Sequence, residues 1–316
     1  MDSVFPIAPL PLDGVKTRSI AGRTSKVTES AFAHVPRSGS FADFWDSLPE
    51  ILAGERLRAA ARAIVQARRR GRNVLWGIGG HVIKCGVAPL LLRLLQDGFV
   101  QGIACNGAVA VHDYEVALSG ATSEDVDAAL PDGSFGVTEE TGRFLNAAAR
   151  TAAARQIGLG EAIGLAVGAE RPSGSLFAAC VERRVPITVH VSLGCDVWHL
   201  HPTIDPAAVG AATHHDFRLF CALVRGLDGG GVYVNIGSAV VLPEVFLKAI
   251  TVVRNLGHRL DELTTIDLDF AAQYRPMTNV VKRPTAHSGR GIHLTGHHEI
   301  LVPLLAAGIA VEAARP

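Results

Sequence analysis

Apolar residues gather along this chain in short runs, joined by stretches of helical spacing, with glycine at the junctions. Residues 73–76, Asn-Val-Leu-Trp, form the first run. The turn Gly77-Ile-Gly79-Gly80 breaks it with residues that tolerate positive φ and close approach of another backbone or a ligand. From His81 to Asp97 apolar side chains recur at helical spacing, and Gly98 stands where a helix C′ residue would be. Residues 99–105 form a second run, closed by Asn106-Gly107. The second half resumes the alternation, with strands predicted over 186–193, 231–236 and 264–270. The first of these ends in Gly194-Cys195-Asp196 and the second in Gly237-Ser238. Helices are predicted over 53–70, 175–184, 214–225, 243–255 and 297–309, and another starts near 121, capped by Thr122 or Ser123. Residues 131–172 read as an Ala-rich helical stretch and 271–292 as an irregular loop.

Strands alternating with helices pair in parallel, because a parallel crossover needs about a dozen residues or more. The predicted fold is α/β, a Rossmann-like parallel sheet flanked by helices. Residues 1–40, rich in Pro, Ser, Thr and Gly, read as an arm ordered against a neighbouring subunit. Residues 41–316 read as a single domain with a helical insertion around 121–172.

In such a sheet, ligands sit beyond the carboxyl ends of the strands. The turns Gly79-Gly80, Asn106-Gly107, Gly194–Asp196 and Gly237-Ser238 would all gather on that edge, where helix N-termini suit a pyrophosphate. Asp267 and Asp269, near a strand end, could hold ribose hydroxyls. The first turn alone is not GxGxxG and reads equally as a packing turn. The recurrence of the pattern is what favours a nucleotide site.

Composition narrows the function classes. The 30 basic and 30 acidic residues balance, so the chain lacks the electrostatic footprint of a nucleic-acid binder. Its apolar runs stop well short of a membrane span, and its first residues lack the basic and apolar regions of a secretory signal. Five cysteines without a CxxC read as buried free thiols in a reducing cytoplasm. The 13 histidines include His199-Leu-His201, His214-His215 and His297-His298-Glu299. With no HExxH or Cys/His framework, they read as hydrogen-bonding groups around a polar cleft, and no metal is expected. Lys84 and Lys248 fall inside helices, where a solvated lysine is the plain reading. Lys282 falls in the loop before the last helix, where a partly desolvated lysine could form a Schiff base.

The order of these motifs resembles the deoxyhypusine synthase family, most closely its divergent bacterial members, over residues 73–310. Gly79-Gly80-His81 resembles the family's first cofactor loop, and Cys105-Asn106-Gly107, with the acidic Asp113-Tyr114-Glu115 downstream, its Thr-Ala-Gly-Gly stretch. The segment from Val185 to Asp196 resembles its strand ending in an Asp-Gly turn. The stretch from Gly231 through Gly237-Ser238 resembles its Gly-Gly-Gly-Val turn. Thr295-Gly-His297-His298-Glu299 resembles the Ala-Asp-Ala turn before the last helix, and Arg275-Pro276 followed by Lys282 the run before the catalytic lysine. The resemblance implies NAD as cofactor and a homotetramer with sites near subunit interfaces. It also implies transfer of an aminobutyl group from a polyamine to an acceptor amine through a lysine imine. Lys282 would be the nucleophile. Glu244, after Pro243, stands where the family carries histidines and would be the base. Two alternatives share the fold: NAD-dependent deamination or oxidation of an amino acid such as ornithine, with Arg275 or Arg283 on its carboxylate, and NAD binding without turnover. A histidine-based metallohydrolase is a fourth reading.

Overall fold

The computed structural model describes residues 4–170 and 174–316. The last two residues of the predicted 131–172 helical stretch lie outside them. Residues 4–40 are almost wholly exposed, with two short 3-10 turns at Ile20–Gly22 and Glu29–Ala31. The ordered body opens with helices α1 (Phe41–Ser47) and α2 (Leu52–Arg69) and then strand β1 (Val74–Ile78). The helix predicted from His81 is two: α3 (His81–Lys84) and α4 (Ala88–Gln96), broken at Gly86, whose φ is +77°. Strand β2 (Gly102–Asn106) runs into α5 (Gly107–Ser119), with the Asn106 side chain accepting from the Val109 N–H as N-cap.

The helical excursion is α6 (Val126–Ala129), α7 (Glu139–Arg155), α8 (Leu159–Glu170) and α9 (Leu176–Glu182). Asp125 caps α6, in place of the expected Thr122 or Ser123; Ser123 instead has φ +73°. Then follow β3 (Ile187–His190), α10 (Pro206–Arg225), β4 (Val232–Ile236), α11 (Val241–Asn255) and β5 (Thr264–Asp269). The predicted loop 271–292 holds a π-helix, Pro276–Lys282, and the start of a sixth strand, β6 (Arg290–Thr295); α12 (His298–Ala314) closes the chain. Among the described residues no helix is long and apolar enough to cross a membrane.

The six strands form one parallel sheet in the order β3-β2-β1-β4-β5-β6. The predicted Rossmann-like α/β fold is therefore the observed one. Alternate strand residues point to opposite faces. Trp76, Ile103, Val234 and Leu268 pack with α1, α2, α4, α5, α8, α9 and α12 on one side. Leu75, Ala104 and Tyr233 pack with α10 and α11 on the other, where the Tyr233 and Phe246 rings stack at 3.8 Å. Trp45 ties the two ends of the chain together: its indole N–H donates to Glu312 at 2.9 Å, and its ring fills the space beside Gly308.

One buried carboxylate binds three elements. Oδ2 of Asp216, on α10, accepts from Gly160 N at 3.0 Å and from Val189 N at 2.8 Å. Its Oδ1 is buried without a partner among the described residues. Burial outweighs the backbone donors and pushes its pKa from 3.8 up to about 7. In that window the folded chain holds a proton that the unfolded chain has released, so Asp216 makes stability fall as pH rises and level off above it. Asp216→Asn keeps an acceptor for both N–H groups, and urea midpoints measured across the window should lose that part of the slope. An unchanged slope would assign it to other groups.

Candidate functional site

Strand order reverses between β1 and β4, and in open α/β sheets that reversal opens a crevice at the carboxyl edge. The two turns flanking it are in backbone contact. Gly79 N donates to Ile236 O at 3.0 Å, and Gly237 N to Leu268 O at 3.2 Å. A Cβ on Gly79 would stand 2.1 Å from the Gly237 carbonyl oxygen, so no larger residue fits there. Gly237 takes φ +60° against the His298 imidazole. Gly80 lies over Ala108 and His112 of α5, joining this turn to the next. These glycines are required by protein packing.

Around the crevice stand His81, His298 and Asp269. His298, at the start of α12, is buried; its Nε2 donates to Leu268 O at 3.3 Å, and its ring lies edge-on to His81 at 5.3 Å. Burial pushes the His298 pKa down. Asp269 ends β5; its Oδ1 accepts from Phe270 N at 2.7 Å, and burial pushes its pKa up. Among the described residues α12 begins without a side-chain cap at this edge, whereas the amides of Val82, Ile83 and Lys84 in the short α3 are taken by the carbonyls of Gly79 and Gly80. His297 is exposed, its Nδ1 3.8 Å from Glu299. Ser238 is buried, and its hydroxyl accepts from Leu242 N in the first turn of α11 at 3.1 Å.

Three expected roles are not supported by position. Asp267 is fully buried, with one oxygen taken by Asn235 at 2.7 Å and the other by His293 at 2.8 Å, which leaves nothing for a ribose. Glu244 ion-pairs with Lys248 and Arg275 and accepts from Asn279 at 2.9 Å. Led by the Lys248 hydrogen bond, these contacts hold its pKa low, which makes it a poor base. Lys282 is exposed at the end of the π-helix. Its neighbour Val281 packs its carbonyl on Gly291, the second residue of β6. That is the amino edge of the sheet, opposite the glycine turns. Arg283 hydrogen-bonds Asn279 at 2.8 Å on the same connection.

Asn106, Gly107 and Asp196 do come together, at the β2 and β3 ends: a Cβ on Gly107 would meet the Asp196 carboxyl at 2.4 Å. Beside them lies a cavity of about 190 Å³ that the sequence reading did not anticipate, lined among others by Lys84, Glu115, Glu124, Asp196 and Trp198. Glu115 accepts from Thr122, and from Thr141 at 3.2 Å; His112 Nδ1 lies 2.7 Å from the Thr122 hydroxyl. Burial pushes the Glu115 pKa up, but hydrogen bonds led by His112 outweigh it and hold the carboxyl low. Glu124 accepts from Gly136 N at 2.9 Å. Asp196 accepts from Ser192 N at 3.2 Å, and burial pushes its pKa up to about 6. Three carboxylates and one ammonium among the lining of a small, mostly apolar space suit a compact substrate carrying amines and a carboxylate. Helix α3 joins the two places: His81 borders the crevice and Lys84 the cavity.

The His199/His201 pair is taken up by its own loop and by the start of α7. His201 Nε2 meets Glu139 at 3.1 Å and Nδ1 meets Thr203 at 2.8 Å, while His199 Nδ1 accepts from Gly194 N at 3.3 Å. Of the five thiols expected to be buried, Cys195 is exposed and Cys85 half-buried.

Comparisons with known proteins follow the same geometry. Residues 58–197 match the family described as arginine dihydrolase ArgZ-like, C-terminal, Rossmann fold. No curated protein sequence matches the chain. Among solved structures, the chain is similar to apo ArgZ, an arginine dihydrolase from the ornithine-ammonia cycle in cyanobacteria. The TM-score is 0.50 at 19% identity, over 82% of this chain and 32% of ArgZ. It is similar to the ternary complex of AgrE with ornithine and NAD+, with TM-score 0.51 and 16% identity over 82% of this chain and 34% of AgrE. The chain thus spans about a third of the length of both. A putative deoxyhypusine synthase from Entamoeba histolytica aligns with TM-score 0.50 and 10% identity over 85% of this chain and 92% of that one. At these identities the likeness is one of fold: a Rossmann-type sheet shared with ArgZ, AgrE and the deoxyhypusine synthase fold.

Proposed function

We propose that this protein binds NAD at the β1/β4 crevice and oxidises an amine-bearing carbon of a small amino acid of the ornithine type. The observation that carries the reading is the cavity lined by Lys84 together with Glu115, Glu124 and Asp196, joined through α3 to the crevice where strand order reverses. The uncapped start of α12 suits a diphosphate. When bound, NAD+ would take the substrate's C–H as hydride, while the amine gives up a proton and the resulting imine is opened by water to a carbonyl and ammonia. Lys84 pairs with the substrate carboxylate, and Glu115 and Glu124 hold the distal ammonium. Asp196, whose pKa lies near neutrality, takes the proton. The presence of ornithine and NAD+ in the AgrE complex agrees with this substrate class.

Aminobutyl transfer through Lys282 is the weaker reading, because that lysine stands at the other edge of the sheet. Lys282→Ala is therefore expected to leave kcat/KM within about twofold of the parent. A large loss would restore its catalytic role. The exposed apolar side chains of the arm, such as Ile7, Leu10 and Leu12, suit packing on another copy of the chain, and a homo-oligomer is part of the proposal.

The test of the reaction is NADH formation with ornithine, arginine and lysine compared with putrescine and spermidine. Turnover confined to the amino acids is expected. Turnover of spermidine alone would instead favour aminobutyl chemistry, with Lys84 as the lysine at hand.

A further inference from the structure

A second cluster of chemistry-bearing side chains lies outside the reaction proposed above. His81 opens α3, and Cys85 follows one turn later as its C-terminal cap, its N–H bonded to His81 O at 2.9 Å. The i,i+4 spacing sets both side chains on one face of that turn. Glu299, in the first turn of α12, faces them across the gap between the two helices. One donor atom from each, an imidazole nitrogen, the Cys85 Sγ and a Glu299 carboxylate oxygen, lie within 4.8 Å of one another.

We propose that His81, Cys85 and Glu299 form a binding site for a divalent transition-metal ion of the zinc class. The donor set is the argument. Imidazole, thiolate and carboxylate together suit a borderline-soft ion such as zinc, whereas calcium and magnesium take oxygen ligands. Metal–ligand bonds of about 2.0–2.3 Å put the donors of a tetrahedral ion closer together than they stand here. Small rotamer changes of an exposed His81 and an exposed Glu299 supply that contraction.

Charge points the same way. A thiolate and a carboxylate bring two negative charges, which a dication neutralises. His297, 3.8 Å from the Glu299 carboxylate, stands where an orienting partner for that ligand is expected. Three protein ligands leave a fourth position for water or an exogenous donor.

The test uses the full, untagged, reduced protein titrated with Co2+ and then with Zn2+, without NAD or any amine. Its outcome is thus independent of the NAD reading. The expected result is one equivalent of Co2+ bound with a thiolate-to-cobalt charge-transfer band and intense tetrahedral d–d bands, displaced by one equivalent of Zn2+. Binding should release protons, increasingly so at lower pH. Cys85→Ser should abolish the charge-transfer band. His81→Ala and Glu299→Gln should each weaken Zn2+ at least about tenfold. Cys195→Ser, which removes the exposed thiol elsewhere, should change nothing. Absence of a thiolate band in the unmodified protein would overturn the proposal, as would its loss in Cys195→Ser with survival in Cys85→Ser.

Discussion

Gly79→Ala should destabilise the folded chain by about 3 kcal/mol or more, a cost at the upper end for overpacking a tight site. The added methyl would stand 2.1 Å from the carbonyl oxygen of Gly237. At Gly77 a Cβ would crowd the buried Tyr233 side chain; at Gly79 it meets the Gly237-Ser238 backbone across the crevice. Relief requires β1 and β4 to part where Gly79 N bonds Ile236 O. Chemical denaturation reads the loss, and NAD binding should fall with it even where the variant stays folded. An unchanged midpoint would mean that the two turns are not held together as described.

Asp196→Asn should lower kcat/KM for an ornithine-type substrate by roughly 100-fold, about 3 kcal/mol, the scale for removing one partner of a buried charge pair. The amide keeps an acceptor for Ser192 N and nearly the same shape against Gly107, so the melting temperature should barely move. The parent carboxyl has its pKa pushed up to about 6 by burial, so it must lose its proton before it can hold an ammonium or act as base. Parent kcat/KM should therefore fall below about pH 6, and that acid limb should vanish in the variant. A variant with parental kcat/KM and an intact acid limb would remove Asp196 from the substrate site and the cavity from the proposal.

The sheet was legible where strands are buried on both faces, because such strands are continuous apolar runs. Residues Val74–Ile78 and Val232–Ile236 are buried throughout. Strand β6 hid because it lies at the edge: Arg290, Gly291 and Thr295 are exposed, and only Ile292 and Leu294 are buried. Missing it had a cost for the chemistry. With β6 unseen, residues 271–292 read as an irregular loop before the last helix, free to bring Lys282 to a reacting centre. With β6 present, the segment is a crossover that returns to the amino edge and carries Lys282 with it.

The turns of the site were legible from glycine and its recurrence. What the glycines contact was not, since Gly79–Gly237 and Gly107–Asp196 join segments far apart in sequence. Asp267 looked like a ribose ligand because of its place near a strand end. Its burial depends on Asn235 and His293 of the neighbouring strands, a register that no local pattern reveals. The cavity draws on α3, α5, the loop before α7 and the turn after β3, so periodicity along one segment could not assemble it. The spacing of His81 and Cys85 was visible in the sequence; their meeting with Glu299 was not.

Calorimetric titration of NAD+ into the full chain, with and without ornithine, bears most directly on the central claim. Saturable binding that ornithine tightens is the expected result, because coupling between two ligands is reciprocal and the crevice and cavity share α3. Binding that collapses in Gly79→Ala and survives in Lys282→Ala would place the cofactor at the crevice. No NAD+ binding at millimolar concentration would contradict the account and reduce the likeness to ArgZ, AgrE and deoxyhypusine synthase to fold alone.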